Sequence, residues 1–364
     1  MSASGTAPVA DGGPRAPRAS ARARFLVVGA ALALAAPLVV AAGSLVWRAA
    51  GPAPAAPATR SLFPAGTQAR VAALRDRLVA GLLVLRRPEG DFSPRDDGAE
   101  VDPMDRAEAT AMGVAGLAAA RRMGARVAGL DDALAATKAS LTRRQTRGGM
   151  FGVSRQQRRG VAVSALAGSV LALAYADDRA DDSALDLAGR TLVSQTTIGT
   201  LPAGWVQGVA ARAVAALAST GRRALLVPDP VTAVPSKPIE LGRRCTDSHV
   251  AQAVAEAVQA ELGASRTPFA AAVLERQLAE PPTWTGETTD VGSLVLAAWL
   301  AARVDGGARW FERVLPVLEQ AVGADGTIRG TYYGDPVSRT AGALLVLAEG
   351  AGVLVGGADA TRSR

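Results

Sequence analysis

The sequence predicts an all-α protein: repeated helix pairs arranged as an α/α toroid, preceded by one N-terminal transmembrane helix. Three observations carry this prediction. Hydrophobic residues make up 49% of the 364-residue chain while aromatics are only 4%. Alanine, leucine and valine must therefore build the core, which suits close-packed helices better than sheets. One grammar recurs along the chain: an amphipathic helix, a loop carrying glycine and an aromatic, then an alanine-rich helix. And the stretch Phe25–Trp47 contains no charged residue.

Residues 1–24 consist largely of Ala, Gly, Pro, Ser and Arg, too polar and too small to bury a core, and read as a disordered basic arm. Residues 25–47, FLVVGAALALAAPLVVAAGSLVW, are long enough at ~1.5 Å per residue to cross a hydrocarbon layer of ~30 Å. Membrane helices tolerate a proline such as Pro37. Arg15, Arg18, Arg22 and Arg24 all precede the span, so the positive-inside rule puts the N-terminus in the cytoplasm and the main domain outside it. A cleaved signal ending near Val40-Ala41-Ala42 is the rival reading, and it exports the domain equally. Residues 48–66 form a proline-alanine spacer. The single cysteine, Cys245, excludes an intrachain disulfide. Of the net charge of +7, residues 1–24 carry +3 and the remainder is only mildly basic, and no basic patch with interleaved aromatics follows. Nucleic acid is not an expected partner.

Residues 67–356 carry five units, and 357–364 form a disordered tail. The alanine-rich helices begin near positions 106, 160, 207, 288 and 336, spaced by about 50 residues apart from one wider gap. That gap holds Arg222–Arg244, whose four prolines mark an inserted loop. The first helix of a unit mixes leucines with charges, as in Ala73-Leu74-Arg75-Asp76-Arg77-Leu78, so one face is wet. The second is nearly all Ala, Gly, Val, Leu and Ser, so it is covered all round. An outer ring of amphipathic helices around an inner buried ring satisfies both patterns, with an open solenoid as the competitor. The fifth unit shows the grammar over Pro316–Ala348: helix, a turn at Gly323–Gly326, a loop with Tyr332 and Tyr333, and a second helix.

The loops RGGMFGVS (147–154), GTLPAGWVQG (199–208) and QAVGADGTIRG (320–330) resemble the glutamine-glycine-tryptophan repeat of terpenoid cyclases, and the prenyltransferase and squalene-cyclase repeat generally. Trp205 stands where that repeat wants tryptophan, with Phe151 and Ile328 substituting in two other copies. The resemblance implies the toroid fold. It does not extend to the catalytic motifs. The cyclase branch protonates its substrate through a DxDD motif, which is absent, and the cluster Asp177-Asp178-Arg-Ala-Asp181-Asp182 reads as a solvated turn. The prenyltransferase branch holds zinc with Asp, Cys and His. Cys245, Asp247 and His249 are weak metal candidates, because the spacing departs from that pattern and Thr246 or Asp247 serves equally as a helix cap. No metal and no cofactor is expected, and the chain reads as neither a conventional terpene cyclase nor a conventional prenyltransferase.

In a closed ring, the loops preceding inner helices converge at one end. Their acids are Asp91, Asp96, Asp97, Asp102, Asp105, Glu108, Glu287, Asp290 and Asp335. The ligand-binding candidates there are Asp102, Asp105, Arg106, Arg158, Trp205, Gln207, Trp284, Asp290, Tyr332, Tyr333, Asp335 and Arg339. Aromatics stack on rings and arginines hold anions. Helix capping is the bland role for each acid, and Pro336 at a first helical position supports it for Asp335. The functional expectation is a membrane-anchored, exported binding or scaffold domain, with an envelope lipid, glycan or protein as ligand. The alternative is an enzyme acting on a polysaccharide or isoprenoid through paired loop carboxylates, which requires two carboxyls in one site with at least one shifted by burial.

Overall fold

A computed structural model describes residues 61–94, 101–151, 186–192, 291–302, 307–329 and 335–353, with a few scattered helical positions between them. The chain divides into two units, Met1–Ala55 and Ala56–Arg364, and every described residue belongs to the second. The described part is all-α. Six helices are complete: α1 (Gln68–Leu85), α2 (Pro103–Arg122), α3 (Leu130–Arg143), α4 (Val291–Ala301), α5 (Gly307–Ala321) and α6 (Pro336–Gly350). Extended pairing among the described residues is limited to two isolated bridges, Arg86 with Phe92 and Gln145 with Phe151.

The two kinds of helix behave as their compositions dictate. On α3 the buried set is Leu130, Ala133, Leu134, Thr137, Ser140 and Leu141, one stripe at helical spacing with the opposite face wet. On α2 every residue from Ala109 to Ala120 is buried, and α6 is buried over most of its length. Small side chains make that possible. A Cβ on Gly116 of α2 would collide with Ala341 of α6, so the two axes approach closely only because glycine is there. α6 packs most extensively on α2, and also on α4 and α1.

Helix starts and stops follow local chemistry. Asp102 caps α2 by accepting from the Met104 N–H at 2.7 Å, with Pro103 in the first turn. Asp335 caps α6 through the Ser338 N–H, also at 2.7 Å, with Pro336 following. Pro88 lies just beyond α1 and prevents its continuation. α5 differs from its sequence expectation. It begins at Gly307, ahead of the stretch from Pro316, and carries Pro316 in its interior. The folded unit also starts earlier than residue 67. Phe63 is buried, packs edge-on to Phe311 at 5.5 Å, and its neighbour Leu62 donates its N–H to the Gly350 carbonyl. The end of the expected spacer is thus part of the core.

Three loops between paired helices take the same turn. In each, a glycine with positive φ donates back three residues, and that residue donates to the one after the glycine. The bonds are Gly90 to Arg87 and Arg87 to Asp91, Gly149 to Thr146 and Thr146 to Met150, and Gly326 to Gly323 and Gly323 to Thr327. The next residue, Phe92, Phe151 or Ile328, is fully buried. The loop at 86–92 is therefore a further copy of the repeat loop, with Phe92 as its plug. In the first and fifth units a threonine locks the plug. Thr110 Oγ1 accepts the Phe92 N–H at 3.2 Å and donates to the Arg106 carbonyl, while Thr340 Oγ1 accepts the Ile328 N–H at 3.0 Å and donates to the Pro336 carbonyl. Thr340→Val keeps the shape but strands the buried Ile328 N–H. It is expected to cost about 1–3 kcal/mol, read as a lower urea midpoint with an unchanged m-value.

Each turn seats on the outer helix of the next unit. Gly90 lies against the Ala136 carbonyl of α3, Gly149 against Leu187 and Thr191, and Gly326 against the Arg77 carbonyl and Gly81 of α1. The last contact joins the fifth unit to the first. Arg77 reinforces it by donating to the Val322 and Gly323 carbonyls, and Arg70 pairs with Glu319.

Candidate functional site

The N-terminal turns of α2 and α6 bring four ionisable groups to the same end of two packed helices: Asp105 and Glu108 on α2, Asp335 and Arg339 on α6. Glu108 and Asp335 are half-buried, and Arg339 is wholly buried. Both carboxyls are held above the ordinary carboxylate range. For Glu108 the cause is burial first, then the negative charge of Asp335. For Asp335 burial dominates, opposed by the N–H and hydroxyl bonds from Ser338. Burial lowers the affinity of Arg339 for its proton, and the Asp335 carboxylate partly restores it. Two half-buried acids, the charge of Asp335 raising Glu108 across the helix pair, form a proton-holding site. Asp335 is at once a helix cap and a member of it, and Glu108 caps nothing.

Asp102 points its carboxyl back at its own helix and stays exposed, so it acts as a cap. Arg106 turns elsewhere, toward Asp91 at 3.9 Å. Asp91 itself is buried and takes a 2.7 Å bond from Arg144 Nη2, with Arg87 Nε at 3.9 Å. Arg158, Trp205, Gln207, Trp284, Asp290, Tyr332 and Tyr333 lie outside the described residues, as do Cys245, Asp247 and His249 and the span 25–47. Among the described residues no group of His, Cys, Asp and Glu is placed to hold a metal, and no helix is long and apolar enough to cross a membrane.

Sequence reasoning missed Arg87 and Arg144. A signal was present: an Arg-Arg pair closes the outer helix of each of the first two units, Arg86-Arg87 and Arg143-Arg144, just ahead of the glycine turn. Arg143 and Arg144 reach back across the boundary to the Glu89 carbonyl and the Asp91 carboxylate.

No family model matches the chain, and no curated protein is similar to it. Among solved structures, the chain is similar to a type II terpene cyclase, MstE from Scytonema, in a substituted form bound to its substrate geranylgeranyl dihydroxybenzoate. The TM-score is 0.51 at 16% identity, over 78% of this chain and 98% of that one. The substrate-free cyclase also matches, at 16% identity over 78% of this chain and 99% of that one, with a TM-score of 0.48. The resemblance to the terpenoid-cyclase repeat holds at the level of fold.

Proposed function

We propose that residues 56–364 form a closed α/α toroid that binds an apolar, isoprenoid-class ligand at the end where α2 and α6 begin. The docking rule supports closure: the fifth turn seats on the first outer helix as the first and second turns seat on their successors. The observation that carries the binding reading is the Glu108–Asp335–Arg339 cluster. Asp335 repays its burial in part as the cap of α6, but Glu108 caps nothing, and a half-buried carboxyl costs stability when charged. A ligand that needs a protonated carboxyl as hydrogen-bond donor gives them a use. The fold neighbour, a cyclase with a geranylgeranyl-bearing substrate, supports the choice of ligand class. The segment 25–47 would tether the domain outside the cytoplasm, where a membrane-derived lipid is within reach. The test is titration of the full chain in detergent with geranylgeraniol and with a straight-chain alcohol of equal carbon number. Saturable binding of the first, weakened in Glu108→Gln, is expected. Equal partitioning of both alcohols would remove the reading.

A second reading makes the same pair the acid of an isoprenoid-converting enzyme. It is favoured by one observation: burial lets these carboxyls keep a proton at a pH where exposed acids have lost theirs. If the domain converts polyprenyl phenols, Asp335→Asn lowers the rate by about 10²–10⁴-fold, measured by product mass spectrometry.

A further inference from the structure

The arginines around Asp91 carry more charge than the fold requires. Of the three, Arg144 alone hydrogen-bonds Asp91, through a 2.7 Å bond to Oδ2. Arg87 and Arg106 also face this buried carboxylate, each at 3.9 Å and neither within hydrogen-bonding distance. The Nε–H groups of Arg106 and Arg144 are shielded from water and have no hydrogen-bond acceptor, and Asp91 Oδ1 has no donor. Among the described residues Glu89 is also near, 3.6 Å from Arg87 and exposed.

The repeat supplies an internal control. The same turn forms in the second unit with Met150 where Asp91 stands, and in the fifth with Thr327. Neither is a carboxylate, yet the backbone hydrogen bonds are the same. The charged cluster is therefore surplus to folding the turn. Three guanidinium groups, two of them with an unpaired Nε–H and all partly open to solvent, offer what a tetrahedral oxyanion needs: forked N–H donors and net positive charge.

We propose that Arg87, Arg106 and Arg144 form a binding site for a phosphate-class oxyanion at the boundary of the first two units. The bound group would meet the solvent-open edges of the three guanidinium groups and swing Arg87 from Glu89 onto itself. Asp91 remains as the anchor that aligns Arg144. This proposal does not rest on the isoprenoid reading.

The experiment is calorimetric titration of the full chain in detergent at pH 7 with inorganic phosphate, against sodium chloride at matched ionic strength. Saturable one-site binding of phosphate is expected. Arg106→Gln and Arg87→Gln, neither of which breaks a hydrogen bond to Asp91, should each weaken it by about tenfold or more. Both variants should unfold at the wild-type temperature in chloride, which separates loss of the site from loss of the fold. A second arm uses octyl phosphate. Tighter binding than inorganic phosphate identifies a phosphate carried on an apolar chain, and equal binding identifies the free ion. Phosphate heats indistinguishable from those of chloride, or variants that bind as the wild type does, would overturn the proposal.

Discussion

Replacing Gly326 by alanine is expected to destabilise the domain by about 3 kcal/mol or more, one of the largest effects available from a single methyl group. Two costs combine. Gly326 has φ +79°, in the left-handed region where a residue with a Cβ loses ~1–2 kcal/mol. The added Cβ would also fall on the Arg77 carbonyl of α1 and beside the Gly81 N–H. Both are helical backbone and cannot step aside, so the fifth turn must lift from the first outer helix. Gly66→Ala isolates the first cost. Its φ is +87°, yet nothing lies within 4 Å of the added Cβ, so only the conformational penalty applies. Gly81→Ala tests the seam from the other side. Alanine is the better helix former by ~1 kcal/mol, but its Cβ would strike the Gly326 carbonyl, so destabilisation is expected against the propensity. Urea unfolding of the three variants decides the matter. If Gly326→Ala and Gly66→Ala prove equally mild, the fifth and first units do not pack as described.

The carboxyl pair makes a second strong prediction, on pH. Glu108 and Asp335 bind protons more tightly folded than unfolded. Their contribution to stability is thus fully present below the unfolded carboxyl value of about 4, and is lost as pH rises through their folded values. Asp325 works in the opposite direction. The Thr327 N–H and hydroxyl, with help from Arg329, hold its carboxyl below the usual range, so its contribution is lost only as pH falls through that lower value. The two windows are separate. Between about pH 4 and the folded values of the pair, wild-type stability should fall, whereas Glu108→Gln/Asp335→Asn should stay flat and be the more stable form at pH 7. Asparagine caps a helix as well as aspartate does, so α6 keeps its start. Asp335→Ala removes charge and cap together and costs about 1 kcal/mol more. A double variant whose urea midpoint tracks the wild type across that range would show that the pair is not a proton-holding site.

Much of this architecture is legible in the residues alone. The alanine-rich, aromatic-poor composition leaves only helix packing able to fill a core. The contrast between Ala73–Leu78 and Ala109–Ala120 separates a half-wet helix from a fully covered one before any coordinates exist. The caps Asp102-Pro103 and Asp335-Pro336 are local chemistry, so their roles follow from neighbours in sequence. The repeat loops were readable at 147–154 and 320–330 through glycine and the residue that plugs the core. The copy at 86–92 was not, because Pro88 and the charges hid a turn whose defining features are backbone hydrogen bonds and the sign of φ at Gly90. Three matters belong to tertiary structure. Glu108 and Asp335 stand 227 positions apart, and only the packing of α6 on α2 couples them. Arg87, Arg106 and Arg144 meet at Asp91 because the first turn seats on the second unit. Gly81 looks unremarkable in sequence and Gly326 reads only as a turn residue, and both become indispensable when the last turn rests on the first helix. A repeat pattern is local and specifies each unit, but charge coupling and close approach depend on distance through space, which only the docked units set.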